Sequence, residues 1–297
     1  MIIAGWILAI LGLAQVVYAG TIDVSQLIDG NRLLGIAPSV VANPDLVGVW
    51  APGLPSWQAA CDFVANGTLQ EDAPARPAPR LLPANERRRA PDTVAVALEV
   101  ALAACEAAGA DPATLPSVFA STHGDLGITD YICTTLASDA RALSPTKFHN
   151  SVHNAAAGYW TIGAGCHAPA TAISSLQATF AQGMLEAMVQ LASGAERVLL
   201  VASDGTAPGP VGAESRSAGL LGAGMVLARQ PRHGTVRLRA TLVDAVAPAG
   251  TGALARRLGA NAMAPMLPLF QALAAGTDLV SLHAGPTRAM RMEIAHG

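Results

Sequence analysis

The stretch Ile173-Ser-Ser-Leu-Gln-Ala-Thr179 opens a run of helix-forming residues that continues to Ser193-Gly194. The composition of this run predicts a helix over 174–192, and the glycine after it is a typical helix stop. The next segment, Arg-Val-Leu-Leu-Val-Ala at 197–202, is apolar on both alternating faces, which is typical of a strand in a sheet that is covered on both sides. A turn, a helix and a buried strand in this order predict an α/β domain.

Helices and strands alternate on both sides of this stretch, which predicts a layered α/β architecture. Ser56 is predicted to cap a helix that ends near Val64, and Asp92 to cap a helix over 93–108. Residues 67–92 are rich in proline and predict a long irregular loop. The other predicted helices cover 126–140, a few residues around 155, and 262–275. The predicted strands cover 46–51, 117–122, 222–228, 235–243 and 279–282.

The composition argues against a nucleic-acid-binding role. The chain has 297 residues, of which 52% are hydrophobic, 13% charged and 4% aromatic, and its formal net charge is −3. Nucleic-acid binding requires a basic footprint, and the densest basic cluster, three arginines at 87–89, is interpreted as the solvated start of a helix. A chain so poor in charge suits an α/β protein that buries part of its surface in an oligomer.

The cysteine and histidine spacings predict neither a disulfide framework nor a metal site, and no cofactor is expected. The four cysteines form no Cys-x-x-Cys pair and no Cys/His spacing that suits zinc. We interpret them as reduced thiols of a cytoplasmic protein. Cys166 and His167 are an alternative nucleophile–base pair, but adjacent side chains rarely face each other, so we prefer a loop thiol. His149 and His153 would share a helix face, yet no third ligand lies at a useful spacing.

Residues 1–22 contain no charged side chain, and the first charged residue is Asp23. Such a run is long enough to span a bilayer, or to act as a signal peptide with a poor cleavage site at 17–19. However, the Lys or Arg residues that orient such segments do not precede it. We expect an extension or packed segment at 1–44, with membrane association as the open alternative. The main domain is then expected at 45–250, with a C-terminal helix and short strand at 251–297.

Three stretches together resemble the N-terminal half of the β-ketoacyl synthases, in the thiolase-like superfamily. The first is the predicted helix 93–108, which leads to Val-Phe-Ala-Ser-Thr and the turn His-Gly-Asp at 118–125. The second is Ser-Pro-Thr-Lys-Phe-His-Asn-Ser-Val-His-Asn-Ala-Ala-Ala-Gly at 144–158, and the third runs from Ile173 to Val201. The resemblance covers residues 45–245 and implies a thiolase-like half-domain, layered αβα with a mixed sheet.

In this resemblance the nucleophilic cysteine of the condensing enzymes falls on Gln177. That nucleophile sits at a strand-to-helix turn, where the helix N-terminus favours the thiolate. The family pattern Ser-Ser-Ala-Cys-Ala-Thr, laid without gaps on 174–179, places it there. A carboxamide cannot hold an acyl thioester, and glutamine at this position resembles the chain-length factors, the inactive partners of active ketosynthases. A shift in register would place Leu176 or Ser175 at this position instead.

The resemblance implies a non-catalytic, chain-length-factor-like subunit of polyketide or fatty-acid-type elongation, similar to those of aryl polyene systems. Its partner would be a full-length β-ketoacyl synthase in a heterodimer, and an acyl carrier protein would be met through that partner. The family's C-terminal histidine motifs are not found after Val243, which favours this role. Phe148, Asn150, His153 and Asn154 are expected with Gln177 at the acyl tunnel or the dimer interface.

Two other functions stay open. Glutamine-containing relatives decarboxylate malonyl thioesters, because a polar pocket still polarises the carbonyl group. A malonyl-carrier decarboxylase or weak acyltransferase is therefore the enzymatic alternative, and a membrane-tethered scaffold, based on residues 1–22 alone, is the third. Ser203 and Asp204, at the end of the predicted strand 197–202, are interpreted as a satisfied loop cap rather than as a binding site at a strand's carboxyl end.

Overall fold

The computed structural model describes residues 40–42, 47–230 and 236–296. The predictions made for residues 1–22 lie outside these ranges, and the divisions expected at 44/45 and 250/251 stay predictions. Within the described ranges, no helix is both long and apolar enough to cross a lipid bilayer.

Strands and helices alternate along the described residues. The strands are β1 (Val40–Ala42), β2 (Val47–Trp50), β3 (Ser117–Ala120), β4 (Ala170–Ile173), β5 (Arg197–Asp204), β6 (Leu221–Ala228), β7 (Val236–Val243), β8 (Leu279–Gly285) and β9 (Arg288–Ala295). The helices are α1 (Trp57–Asn66), α2 (Ala84–Arg89), α3 (Asp92–Ala107), α4 (Leu126–Ser138), α5 (Pro145–His149), α6 (Ala155–Gly163), α7 (Thr179–Ala192), α8 (Gly209–Glu214), α9 (Ala253–Leu258) and α10 (Leu267–Ala275).

The described strands join one mixed sheet. Its order is β4-β3-β5-β6-β1-β7-β9-β8, and β2 also pairs with β6. β3 runs parallel to β4 and β5, whereas the other pairs are antiparallel. Ser117 of β3 is in register with Ala170 of β4 and Leu199 of β5, so the carboxyl ends of these three strands lie at the same end of the sheet. Residues that follow parallel strands meet at this end, where α/β proteins commonly bind ligands.

Helices cover both faces of the sheet. On one face α3 packs against β5 and β6, while α6 packs against β3, β4 and α3, and Val100 of α3 lies in the buried cluster. On the other face α7 and α10 form a second cluster that includes Met184. Leu199 and Leu200 are neighbours in β5 but belong to different clusters, because successive side chains of a strand point to opposite faces. The predicted αβα layers with a mixed sheet are therefore confirmed.

Two predicted helix starts have different outcomes. The cap at Ser56 is confirmed, because its hydroxyl oxygen accepts a hydrogen bond from the Ala59 N–H at 3.2 Å. The cap predicted at Asp92 is wrong, because α3 begins at Asp92 itself, directly after Pro91. Asp92 instead lies in the first turn, where a negative charge favours the helix N-terminus, and it pairs with Arg76 at 2.5 Å.

The sequence pattern predicts neither β4 nor β9. It also misses α2 within the proline-rich segment 67–92, and the interpretation of the arginines at 87–89 as a helix start is wrong, because they form the last turn of α2. β4 is only four residues long and gives almost no alternation to detect. β9 does alternate exposed and buried residues, but its Ala, Met and Arg residues are good helix formers and conceal the pattern. The helix predicted from 174 begins only at Thr179.

Candidate functional site

A tight turn follows β4 and leads into α7. Within the described ranges, Leu176 is the one non-glycine residue with a positive φ, at 49°. The buried hydroxyl of Thr179 closes the turn. It accepts a hydrogen bond from the Ser175 N–H at 2.8 Å and donates one to the Leu176 carbonyl oxygen at 2.6 Å. A left-handed conformation costs about 1–2 kcal/mol in a residue with a side chain, and such strain concentrates at functional sites.

Gln177 follows Leu176 in the short 3₁₀ turn Leu176–Ala178. Both side chains are exposed, that of Leu176 to 71%. Gln177 thus stands between a strand and the helix that follows it. Its carboxamide can donate and accept hydrogen bonds but has no nucleophilic atom.

An open cleft of about 1250 Å³ lies beside this turn. Leu176 and Gln177 line it together with Thr122 and His123, from the loop that follows β3. The other walls come from the segments 212–218, 246–250 and 259–265, and from Ser281 and His283 of β8. The cleft is larger than the usual 300–1,000 Å³ of ligand-binding pockets, so it has room for a small molecule or an acyl chain.

Asp204, fully buried at the end of β5, holds the loop that lines the cleft. Its carboxylate accepts hydrogen bonds from the Ser121 hydroxyl at 2.8 Å and from the backbone N–H groups of Thr122 at 3.0 Å and His123 at 3.3 Å. Burial raises the pKa of Asp204 above its ordinary value, and the hydrogen bonds from Thr122 and Ser121 oppose this shift. The interpretation of Asp204 as a satisfied loop cap is confirmed.

A second buried polar residue, Asn261, ties the loop after β5 to the segment before α10. Its Nδ2 donates to the carbonyl oxygens of Asp204 at 3.1 Å and Gly219 at 3.1 Å, and its Oδ1 accepts from the Met263 N–H at 2.9 Å. Ser217 adds a parallel link, because its hydroxyl donates to the Gly205 carbonyl oxygen at 2.6 Å. These contacts fix two walls of the cleft relative to the sheet.

A serine and a histidine meet inside the cleft. The hydroxyl oxygen of Ser215 lies 3.0 Å from Nε2 and 3.5 Å from Nδ1 of His123, so it sits against the imidazole ring and not in line with either nitrogen. Both residues are half-buried. His283 of β8 lines the same cleft. Sequence reasoning missed Ser215, Asn261 and His283 as site residues. They stand in separate segments with no motif spacing, and only the strand-end position of Asp204 gives a signal.

The other predicted site residues do not line this cleft. Asn150 is buried and accepts a hydrogen bond from the Tyr159 hydroxyl at 3.0 Å. Nε2 of His153 lies 2.7 Å from the Ser121 carbonyl oxygen. Both line a small separate cavity behind Ser121. Phe148 is 60% exposed on α5, and Asn154 precedes α6 without a side-chain capping bond. The structure thus places Asn150 and His153 at a different cavity from Gln177.

The alternative histidine and cysteine sites are not assembled. His149 ends α5 and His153 precedes α6, so the two do not share a helix face. No cluster of three or more metal-ligating Cys, His, Asp or Glu side chains occurs in the part of the chain that the structure describes. Cys166 is buried with its thiol directed to the Leu115 carbonyl oxygen at 3.5 Å, while His167 is exposed. Burial also raises the pKa of Cys105 to about 12, so this thiol is unreactive.

A family model for the N-terminal domain of β-ketoacyl synthases matches residues 57–284. The chain belongs to the β-ketoacyl synthase family. The match covers the strands and helices around the cleft and the turn at Gln177. No curated protein sequence matches the chain significantly.

Solved ketosynthase structures share the fold of this β-ketoacyl synthase family member. A ketosynthase, ApeO, in complex with its chain length factor, ApeC, from Xenorhabdus doucetiae is 21% identical with a TM-score of 0.65, and the match covers 85% of this chain and 98% of that chain. The type II polyketide synthase complex AntDE:AntF, of a ketosynthase with its acyl carrier protein, is 13% identical with a TM-score of 0.67. The match covers 88% of this chain and 100% of that chain. The ishigamide ketosynthase/chain length factor is 13% identical with a TM-score of 0.66, and the match covers 87% of this chain and 99% of that chain. The predicted thiolase-like fold is confirmed.

The role of Asp204 in this ketosynthase fold is testable with Asp204→Asn. The amide keeps one acceptor oxygen but sets an N–H₂ group against backbone donors, so the unfolding free energy should fall by about 1–2 kcal/mol at pH 4. Because the pKa of Asp204 is raised in the folded protein, its stabilising contribution is fully present below the unfolded-state pKa of about 3.9 and is lost as the pH rises through the folded-state pKa. The difference in unfolding free energy between wild type and Asp204→Asn, measured by urea titration, should therefore become smaller as the pH rises.

Asp244→Asn is the matched control for this measurement, because the Asp244 side chain is 93% exposed. It should change the unfolding free energy by less than about 0.5 kcal/mol. A difference in unfolding free energy between wild type and Asp204→Asn that grows with rising pH would contradict the assigned direction of the pKa shift.

Proposed function

We propose that this chain is a non-catalytic ketosynthase-like subunit, of the chain-length-factor kind, that pairs with an active β-ketoacyl synthase in polyketide chain elongation. The observation that carries this proposal is Gln177, which stands at the strand-to-helix turn before α7. On this proposal Gln177 occupies the position of the family's nucleophilic cysteine. A carboxamide forms no acyl thioester, so condensation would depend on the cysteine of the partner. We further propose that the pathway is of the aryl polyene type.

The outer edge of β4 supports a partner. The carbonyl oxygens of Pro169 and Ile173 accept hydrogen bonds from β3 and the residue after it, so the alternate residues Ala170 and Ala172 direct their backbone groups to the other side. No strand pairs with that side among the described residues. An open strand edge with exposed N–H and C=O groups is a ready template for pairing with another chain.

Apolar side chains flank this edge on both faces of the sheet. α6 and α7 both contact β4. α6 carries Ile162, which is 79% exposed, and α7 carries Val189, which is 48% exposed. Exposed apolar residues around an open strand edge are typical of a protein–protein interface. Two of the similar solved structures contain a ketosynthase together with a chain length factor, which agrees with a ketosynthase as the partner.

The proposal assigns Gln177, Phe148, Asn150, His153 and Asn154 to the acyl tunnel or the interface. Phe148 is the best probe of this group, because its ring is 60% exposed and its loss does not empty a core. In a complex its ring would contact either the partner or the growing chain. An acyl carrier protein would reach this subunit through the ketosynthase.

Co-expression with a full-length ketosynthase and its carrier protein tests the proposal. We expect the two chains to co-purify and the product chain length to depend on this subunit, with Phe148→Ala shifting the product distribution by at least one extension unit. Leu279→Ala is the matched control, since Leu279 is 54% exposed at the opposite edge of the sheet. Two chains that never co-purify, with the same products in the absence of this subunit, would refute the proposal.

A further inference from the structure

The outer edge of β8 has no partner strand in the part of the chain that the structure describes. β8 ends the sheet order and pairs with β9 on its inner side. The Asp278 carbonyl oxygen accepts a hydrogen bond from the Ile294 N–H of β9 at 2.8 Å. Backbone groups alternate in direction along a strand, so those of Leu279, Ser281 and His283 point away from β9. No described residue forms a hydrogen bond with these outward groups.

Two adjoining cavities follow this outer edge. The cleft of about 1250 Å³ is lined by Ser281 and His283, and a smaller cavity of about 350 Å³ is lined by Leu279 and Ser281. The two cavities adjoin, because they share Ser281, Pro248 and Pro268 among their lining residues. All three residues with outward backbone groups therefore line one continuous groove, which we call the β8 groove.

The β8 groove suits an extended peptide better than a helix. The outward backbone groups recur at every second residue, about 7 Å apart, which is the spacing of the groups that a second strand presents. A helix has few free backbone groups to offer, because its N–H and C=O groups are bonded within the helix. The segment 248–252 and α10 form walls beside the edge, so a single extended segment enters more readily than the edge of a second folded sheet.

The side chains around the groove indicate an uncharged occupant. Among the described residues, no charged side chain lines the smaller cavity, and neutral residues such as Leu267 and Thr277 form its wall. A charged side chain there would lose water without gaining an ionic partner. Leu176 and Val246 line the wider cleft and are 71% and 72% exposed. Exposed apolar side chains beside a groove are typical of a binding surface, and they match an apolar residue of the occupant.

We propose that the β8 groove binds an extended, uncharged segment of another protein, which adds to the sheet as a strand beside β8. In such strand addition the main-chain hydrogen bonds supply affinity, and pockets for alternate side chains supply specificity. The site does not depend on the proposed pairing with a ketosynthase, which is assigned to β4 at the other end of the sheet order. The test therefore uses this protein alone, and failure of either proposal leaves the other intact.

The experiment selects peptides from a phage-displayed library of random heptapeptides on the purified full chain. The selected peptides are synthesised with acetyl and amide ends, and calorimetry measures their Kd. We expect uncharged peptides whose Kd Ser281→Pro raises by at least about tenfold, because proline removes an outward N–H and its ring blocks a neighbouring strand. Ser281→Ala is the matched control, since alanine keeps the N–H, and its Kd should stay within about twofold of wild type. Circular dichroism checks that each variant is folded.

A second arm methylates alternate backbone nitrogens of a selected peptide and needs no protein variant. In strand addition only the nitrogens that face β8 donate hydrogen bonds, so methylating that set should raise the Kd by at least about tenfold, and methylating the other set should not. Equal effects of the two sets, no selected peptide that distinguishes wild type from Ser281→Pro, or selected peptides rich in charged residues would each overturn the proposal. Sedimentation that shows a wild-type dimer and a monomeric Ser281→Pro would also overturn it, because a second copy would then occupy the edge.

Discussion

Replacing Ala172 with proline is expected to separate this subunit from its ketosynthase partner without unfolding it. On the proposal that β4 pairs with a strand of the partner, the N–H of Ala172 faces that partner, because the flanking carbonyl groups of 169 and 173 are bonded on the side of β3. Proline removes this N–H and adds a ring at the edge. Edge strands tolerate proline when the lost N–H faces away from the sheet, so the β3–β4 pairing should persist.

The expected effect on the complex is large. One or two lost hydrogen bonds cost about 1 kcal/mol each, and the proline ring prevents close approach of a partner strand. Together they should raise the Kd by at least about 30-fold, since 1.4 kcal/mol corresponds to about tenfold. Pull-down from the co-expression system and isothermal titration calorimetry of the purified chains measure this loss.

Ala172→Ser is the matched control, because serine keeps the N–H and changes the side chain by one atom. It should bind the ketosynthase as wild type does. Urea unfolding of the isolated Ala172→Pro variant should show the native transition, with an unfolding free energy within about 1 kcal/mol of wild type. Equal affinities for the proline and serine variants would place the interface elsewhere on the molecule.

The strands and helices with strong local patterns could be predicted from the sequence. The buried strand at 197–202 and the helix that precedes it have unambiguous apolar patterns, and both are found as β5 and α7. β4 could not be predicted, because its four residues are held by pairing with β3 rather than by their own composition. Its existence depends on a contact between residues that are 53 positions apart in the register Ser117–Ala170.

Sequence reasoning reaches two residues of the candidate site. Gln177 is identified through the resemblance of residues 174–179 to the family pattern, and Asp204 through its position after the predicted strand 197–202. It does not reach the contact of Ser215 with His123, because this 3.0 Å contact joins residues that are 92 positions apart in the chain. Nothing in the local sequence indicates that the segment after α8 folds back onto the loop after β3. That arrangement depends on the end of β5. The Asp204 carboxylate holds the loop after β3, and the hydrogen bonds of Ser217 and Asn261 hold the segment after α8 to the backbone at 204–205.

Gly48→Ala is expected to destabilise the protein strongly, because the added methyl group would collide with the backbone of a buried helix. Gly48 of β2 lies in register with Gly224 of β6, and α3 packs directly on their backbones. A Cβ at Gly48 would lie 2.3 Å from the Val100 carbonyl oxygen, and one at Gly224 would lie 2.7 Å from the same atom. Helix backbone cannot rotate away as a side chain can, so α3 itself must move. Overpacking of this kind costs about 1–3 kcal/mol, and occasionally more.

A graded series of variants makes this expectation testable by urea unfolding. Gly222→Ala should cost less than Gly48→Ala, because its new Cβ meets the Val96 side-chain methyl at 2.7 Å, which can shift. Gly158→Ala is the matched control within α6, where the added methyl group would meet no atom within 4 Å apart from its chain neighbours and the nearby backbone of its own helix. It should stabilise the protein by about 0.5–1 kcal/mol through helix propensity. We expect the unfolding free energy to be lowest for Gly48→Ala, higher for Gly222→Ala, higher again for wild type, and highest for Gly158→Ala. If Gly48→Ala were as stable as wild type, α3 would not lie directly on β2 and β6.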